Sequence, residues 1–444
     1  MEKTIKRKFD ETKVDETGAN EIKFYPKKKR TIIEYEPICL EIKKGIILHR
    51  PRIVELYTSP NVCDYSRLDC FTQYVLYPKI TADSRNFHFN NLKMTERQCY
   101  ICRETIKNIH WFYLYQCQKC GDRSLEYRYK TRDLTGFNAL VIGGRIKLGY
   151  QVVLKLLRAG CKVMITSRNV NSALEFYEQE PDYLEWKSRL IVFSKSFDLG
   201  QVRELIPSLI QEINETFGEN QLNILIQNAA QTINFDDDND IDTTNVFREQ
   251  EILDIIKQRG RKLTYPPVEW RETFAERYGR KLDFRRSNTW GKNIFQTSDE
   301  EIISVVQNNI IGTVLIDKHI IPIMKKNPDT YVIHVHAKEG TFDTHKTTKH
   351  MHTNIAKAGL HMLTRCLAGD ANKDEPRPEY PQIHGVNPGW FSIDEYPIRA
   401  RLKSKIYNPP IDEIDAASRV VHPIFHALVS SHTTWTNYDQ CEKY

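Results

Sequence analysis

The sequence predicts an α/β protein, a doubly wound parallel sheet covered by helices, with a small N-terminal metal-bound module of the zinc-ribbon kind. Three observations carry this expectation. Short continuous apolar runs alternate with amphipathic segments from about residue 136 onward, the pattern of strands buried on both faces. The first run ends in the glycine-rich segment Gly143-Gly144-Arg145-Ile146-Lys147-Leu148-Gly149. Two Cys-x-x-Cys pairs, Cys99/Cys102 and Cys117/Cys120, lie just ahead of it.

The elements follow in order. Ala139-Leu140-Val141-Ile142 is a first strand, and Val152, Val153, Leu154, Leu156 and Leu157 mark a helix that ends near Gly160. Val163-Met164-Ile165, Leu190-Ile191-Val192-Phe193 and Ile224-Leu225-Ile226 are the next three strands. Val332-Ile333-His334-Val335 and Ile383-His384-Gly385-Val386 are the fifth and sixth. Residues 231–298 carry the acidic run Asp236-Asp237-Asp238-Asn239-Asp240 and then many arginines and lysines. A connection of that length and polarity reads as an inserted lobe, not as more sheet.

Composition narrows the class. With 40% hydrophobic and 27% charged residues, the chain is expected to be globular, neither disordered nor membrane-embedded. No stretch approaches the ~20 apolar residues that span a bilayer. The charged first thirty residues carry no secretory leader, which predicts a reducing compartment. The ten cysteines are therefore expected as thiols and metal ligands. A net charge of +6 is compatible with nucleic-acid contact without arguing for it.

Four organisational units are expected. Residues 1–31 form a polar basic tail that cannot bury enough apolar surface to order itself. Residues 32–98 are β-rich with scattered aromatics and match no known unit. Residues 99–132 are the cysteine module, and residues 133–444 the α/β domain with its insertion at 231–298.

The glycine turn between the first strand and helix lets backbone approach a pyrophosphate, whose charge suits a helix N-terminus. Later segments add to it in order. Asp198 follows the third strand, Asn228-Ala229-Ala230 the fourth, and Asn309 lies on the next helix. Lys357 lies on the helix after that, and Pro388-Gly389 follows the sixth strand. In this order and spacing the series resembles the short-chain dehydrogenase/reductase superfamily over about 300 residues. The likeness implies a Rossmann fold. It is closest to a subgroup with four cysteines before the domain and a first turn of the form GGRxKxGY, matched here by residues 143–150. It implies a dinucleotide held by Gly143, Arg145, Lys147, Leu148, Gly149, Arg168, Asp198, Asn228, Ala229, Lys357, Pro388 and Gly389. Lys147 stands where the wider superfamily places its central glycine. Arg168 stands where NADP-preferring members hold a basic residue, and no acidic residue is there for a free ribose hydroxyl. NADP(H) is thus expected ahead of NAD(H).

In that superfamily a tyrosine four residues before the active-site lysine moves the proton while hydride passes to or from the nicotinamide. Lys357 is the matching lysine and Asn309 the matching helix asparagine. Four residues before Lys357 stands Thr353, and the serine position after the fifth strand is Ala337. An aliphatic hydroxyl is a far weaker acid than a phenol of pKa about 10. Imidazole is better suited to proton transfer, and His336 and His352 are both near. Two readings stand: an oxidoreductase acting on a carbonyl or alcohol through a rebuilt relay using His336 or His352, and a dinucleotide-binding scaffold or sensor without turnover. The segment His352-Thr353-Asn354-Ile355-Ala356-Lys357 matches the HTNxAK of the subgroup, which makes the lost tyrosine a subgroup trait.

Four thiolates spaced as Cys99, Cys102, Cys117 and Cys120 can close a tetrahedral structural zinc site. The intervening His110-Trp111-Phe112-Tyr113 is expected as a short strand or hairpin over the metal. The motif Pro26-Lys27-Lys28-Lys29-Arg30 in the tail has the form of a nuclear import signal, so nucleus or cytoplasm is expected. The resemblance implies a homodimer through the helices of Asn309 and Lys357, and the N-terminal region is a candidate surface for a protein partner.

Overall fold

The computed structural model describes residues 98–107, 110, 113, 115–180, 182–233, 288–342, 345–368, 381–392 and 409–426, and the backbone of 436–437. The basic tail, the β-rich stretch to residue 97 and insertion residues 234–287 lie outside the described residues. The chain divides into two units, residues 1–131 with 178–185, and residues 132–177 with 186–444.

In the first unit, helix α1 (Gln118–Tyr129) begins directly after Cys117. Ile106, Tyr113, Leu125 and Tyr129 are buried there. Of the segment 110–113, expected as a short strand or hairpin, His110 and Tyr113 are described and lie in neither helix nor strand, and the Tyr113 amide donates to His110 Nδ1 at 3.1 Å. Trp111 and Phe112 lie outside the described residues.

The second unit is a parallel sheet in the order β3-β2-β1-β4-β5-β6-β7. Its strands are β1 (Asn138–Ile142), β2 (Lys162–Ile165), β3 (Leu190–Val192), β4 (Ile224–Gln227), β5 (Tyr331–Val335), β6 (Gln382–Asn387) and β7 (Thr436–Asn437). Six were expected from apolar runs; the two-residue β7 is too short to leave such a signature. Strand order reverses beside β1, between β2 and β4, the place where open parallel sheets form a crevice beyond their strand ends.

Helix α2 (Lys147–Arg158) follows β1 and α3 (Val202–Phe217) follows β3. After the insertion, Ser298 caps α4 (Asp299–Val306), whose three first-turn carboxylates suit the helix dipole. A π-helical turn at Gln307–Ile311 joins α4 to α5 (Gly312–Ile320). Helix α6 (Met351–Ala368) precedes β6, and α7 (Glu413–Phe425) starts from an Asp412/Asp415 capping box. Successive strand residues face opposite sides. Leu140, Met164, Leu225, Val332 and Ile383 therefore share one face, packed with Ile206 and Leu209 of α3 and Ile316 and Ile320 of α5. Helices α2 and α7 pack together on the other face. No helix among the described residues is long and apolar enough to cross a membrane.

Candidate functional site: the crevice at the strand ends and the cysteine cluster

Every residue expected at the dinucleotide site lies at or just beyond the C-terminal end of a parallel strand, or on α2, the π turn or α6. The glycine turn has a defined cause. Gly143 takes φ +82°, and a Cβ on Gly149 would stand 2.0 Å from the Gly143 carbonyl oxygen. Neither position accepts a side chain, which is how α2 comes to start so close to β1. Asn228, at the end of β4, donates from Nδ2 to that same carbonyl at 2.8 Å. Ala229 lies against Gly143. Two further residues, Thr166 and Tyr177, complete the turn. Thr166 Oγ1 accepts from the Gly143 amide (3.1 Å) and the buried Tyr177 hydroxyl donates to Gly144 O (2.6 Å). Tyr150 donates to Phe176 O at 3.1 Å.

Lys147 adopts φ +52°, the left-handed region that glycine enters without cost. Leu148 is buried behind it. Ile146, the N-cap of α2, supplies no side-chain oxygen to the first-turn amides. Arg145 reaches Ser172 Oγ at 3.3 Å in the loop after β2, while Arg168 at the end of that strand is exposed. Asp198 caps the turn Leu199–Gln201 by accepting from the Gly200 amide at 2.8 Å. Past β6, Gly389 (φ +85°) donates to Asn387 Oδ1, and Pro388 O accepts from the buried Arg419 of α7.

Lys357 projects from α6 and donates from Nζ to Val335 O at the end of β5, 2.9 Å away. Desolvation pulls its ammonium down to about 8. Asn309 sits on the π turn, a feature found often at functional sites. Its carboxamide clamps the Gln231 backbone, accepting from the amide and donating to the carbonyl, both at 2.6 Å. Thr353 is buried, and its Oγ1 has no hydrogen-bond partner among the described residues. His352 is buried beside it, with Nε2 likewise unpartnered among the described residues. Burial holds its imidazole below the usual 6.5, opposed by Glu301 and the Thr232 backbone. His336 is placed differently: its ring lies against Gly385 of β6, Thr364 and His361. Burial drives it well below the ordinary imidazole range. It is enclosed between sheet and helix, an outcome that chain-neighbour patterns cannot signal.

The four expected sulfur ligands converge in the first unit. Their Sγ atoms all lie within 4.8 Å of one another, and Cys102 and Cys117 are 3.8 Å apart. Sulfurs each ~2.3 Å from one tetrahedral ion stand about 3.8 Å apart, so the cluster fits zinc. Arg103 (φ +63°) turns the first knuckle, its amide donating to Cys99 O. Burial raises the Cys99 thiol, but the amides of Cys117, Cys102 and Ile101 outweigh it and lower the net value. Burial and neighbouring sulfurs push Cys120 up. Of the remaining cysteines, Cys161 is buried and Cys366 exposed; Cys39, Cys63, Cys70 and Cys441 lie outside the described residues.

A parallel sheet of this order, with a glycine turn at its reversal, defines a Rossmann-type α/β protein, here with a four-cysteine cluster ahead of it in sequence. Over 432 residues the chain is 61% identical to "Uncharacterized protein R665" of Acanthamoeba polyphaga mimivirus, covering 95% of this chain and 92% of that protein. The chain belongs to the family of that mimivirus protein. No protein-family model matches it. Among solved structures it is similar to carbonyl reductase Sniffer of D. melanogaster (TM-score 0.45, 16% identity, 69% of this chain and 97% of that one). It is also similar to a short chain dehydrogenase from Burkholderia cenocepacia in complex with NADP (TM-score 0.44, 14% identity, 66% and 92%).

Proposed function

We propose that the chain is an NADP(H)-dependent oxidoreductase of the short-chain dehydrogenase/reductase superfamily with a non-standard proton relay. The observation that carries the reading is the turn in which Gly149 and Asn228 close on the Gly143 carbonyl. That arrangement leaves room for backbone against a diphosphate and for nothing larger on the protein side. Arg145 and Arg168 flank the loop after β2, where a 2′-phosphate would be held. Lys357 would hold the ribose. The bound nucleotide would supply or accept the hydride.

His352 is the group best suited to the proton. Its lowered pKa leaves the imidazole neutral near pH 7, ready to accept the hydroxyl proton of an alcohol whose carbon gives up hydride. In the reverse direction the imidazolium returns that proton to the carbonyl oxygen. Thr353 orients the same oxygen by a hydrogen bond. The test is turnover of NADPH with aldehydes and ketones, and of NADP+ with alcohols. His352→Phe is expected to lose turnover while binding NADPH as before; equal turnover in both proteins contradicts the assignment.

The missing phenol favours a second reading, a nucleotide-binding scaffold or sensor. Saturable NADPH binding with no turnover across the panel selects it. In either case we read the cysteine cluster as a structural zinc site and residues 26–30 as a nuclear import signal. Pairing of two chains through α4 and α6, where Ile303, Ile355 and Met362 are exposed, is the expected assembly.

A further inference from the structure

The insertion expected at residues 231–298 ends in a closely bonded segment laid against the start of α6. Asn288 Oδ1 accepts from the Trp290 amide at 3.1 Å, and Asn288 O accepts from the Gly291 amide at 2.9 Å, closing a turn. Asn293 then forms a capping box with Gln296. Asn288 and Thr289 are buried. Several contacts tie this segment to the two residues before α6. The Trp290 and His350 rings lie face to face, with 4.2 Å between centroids and 10° between planes. His350 Nδ1 donates to Trp290 O at 3.2 Å, since a carbonyl oxygen only accepts. The His350 amide donates to Lys292 O at 3.2 Å, and Asn293 bridges Lys349 in antiparallel pairing.

His350 is held at φ +41°. A non-glycine residue keeps such a conformation only where its surroundings over-determine it, and the stacked ring with its hydrogen bonds does so here. The His350 carbonyl accepts from the Asn354 amide at 3.1 Å, so the hydrogen bonding of α6 starts at this residue. Each step along a helix turns about 100°. The backbone angles of His350 therefore set the direction in which the side chains of the first turn leave the helix, His352 and Thr353 among them. Burial, then Glu301, the Thr232 backbone and His350, act on the His352 imidazole, which makes His350 its neighbour in space as well. Lys357, further along α6, is fixed independently. A Cβ on Gly340 would stand 2.6 Å from Lys357 C, so loop and helix touch there at the backbone, and Lys357 Nζ reaches Val335 O.

We propose that Trp290 and His350 are positioning residues, a latch by which the end of the insertion orients the first turn of α6 and so the imidazole of His352. The insertion then serves the proton relay without any group of its own touching the substrate. Its catalytic meaning rests on His352 as the proton-transfer residue, as read above; the latch itself is detectable without cofactor or substrate.

The test is histidine NMR on the full-length, 15N-histidine-labelled protein, with His352 assigned by the loss of its signals in His352→Phe. Trp290→Ala is expected to shift or split the His352 ring signals. Trp290→Phe, which keeps an aromatic face on His350, should return them to a single set near the wild-type position. Should Trp290→Ala not fold, His350→Gly takes its place, because glycine accepts the backbone angle while removing the stacked ring. In NADPH turnover, Trp290→Ala should lower kcat about tenfold or more with NADPH affinity unchanged, because Lys357 keeps its own contacts. The same change made in His352→Phe should cost nothing further. A wild-type protein that reduces no carbonyl, while the ring signals respond as described, removes the oxidoreductase reading and leaves the latch. His352 signals unchanged in a folded Trp290→Ala or His350→Gly, or disturbed equally in Trp290→Phe, overturn it.

Discussion

The Asn228 side chain donates to the Gly143 carbonyl across 2.8 Å, tying the end of β4 to the turn after β1. Two strands adjacent in the sheet but 85 residues apart in sequence are thereby locked at the proposed nucleotide site. Replacing Asn228 with Ala removes the donor. A net loss of about 1 kcal/mol in stability is expected, read by thermal melting, together with weaker NADPH binding.

Gly149→Ala is a harsher change. Its Cβ would meet the Gly143 carbonyl as well as the Asn228 side chain, and the backbone contact means that the turn must open. An expected loss of about 1–3 kcal/mol should accompany loss of NADPH binding, measured by melting and by nucleotide fluorescence.

At Lys147 stability and function should part. A non-glycine residue at positive φ costs roughly 1–2 kcal/mol, so Lys147→Gly is expected to hold or raise the melting temperature. If its ammonium serves the diphosphate, the same variant binds NADPH less tightly, with an affinity that is less sensitive to salt.

The pH dependence at Lys357 has a definite sign. Its folded value, about 8, lies below the ordinary lysine value of 10.5. Between those values the unfolded chain binds the extra proton, so this residue makes stability rise with pH in that window. Lys357→Met should flatten that rise in a melting series. Binding of an anionic cofactor should weaken as pH climbs through 8, and Lys357→Met should remove that limb too.

Much of this was legible in the sequence, and the reasons are local. The strands of the sheet core announce themselves as continuous apolar runs because both faces are covered. Gly143, Gly149 and Asn228 are local to strand ends and keep their spacing. The four cysteines converge as their spacing requires. What was not legible depends on contacts between distant segments. The π turn that aims Asn309 at Gln231 has no propensity signature. His336 looked like an open acid because imidazole suits the task, but Gly385, 49 residues later, opens the space that encloses its ring.

For the cysteine cluster, metal analysis should find one zinc per chain. Chelation, or Cys102→Ser, should expose residues 98–131 to protease. The parallel sheet contains none of the four ligands and is expected to keep its own melting transition.

The central claim is that the crevice at Gly143 holds a phosphorylated dinucleotide. Titration of the purified protein with NADPH, followed by nucleotide fluorescence, tests it most directly. Saturable binding of one nucleotide per chain is expected, displaced by NADP+, and weakened about tenfold for NADPH but not NADH by Arg168→Ala. A folded protein that binds neither NADPH nor NADH at millimolar concentration would contradict it.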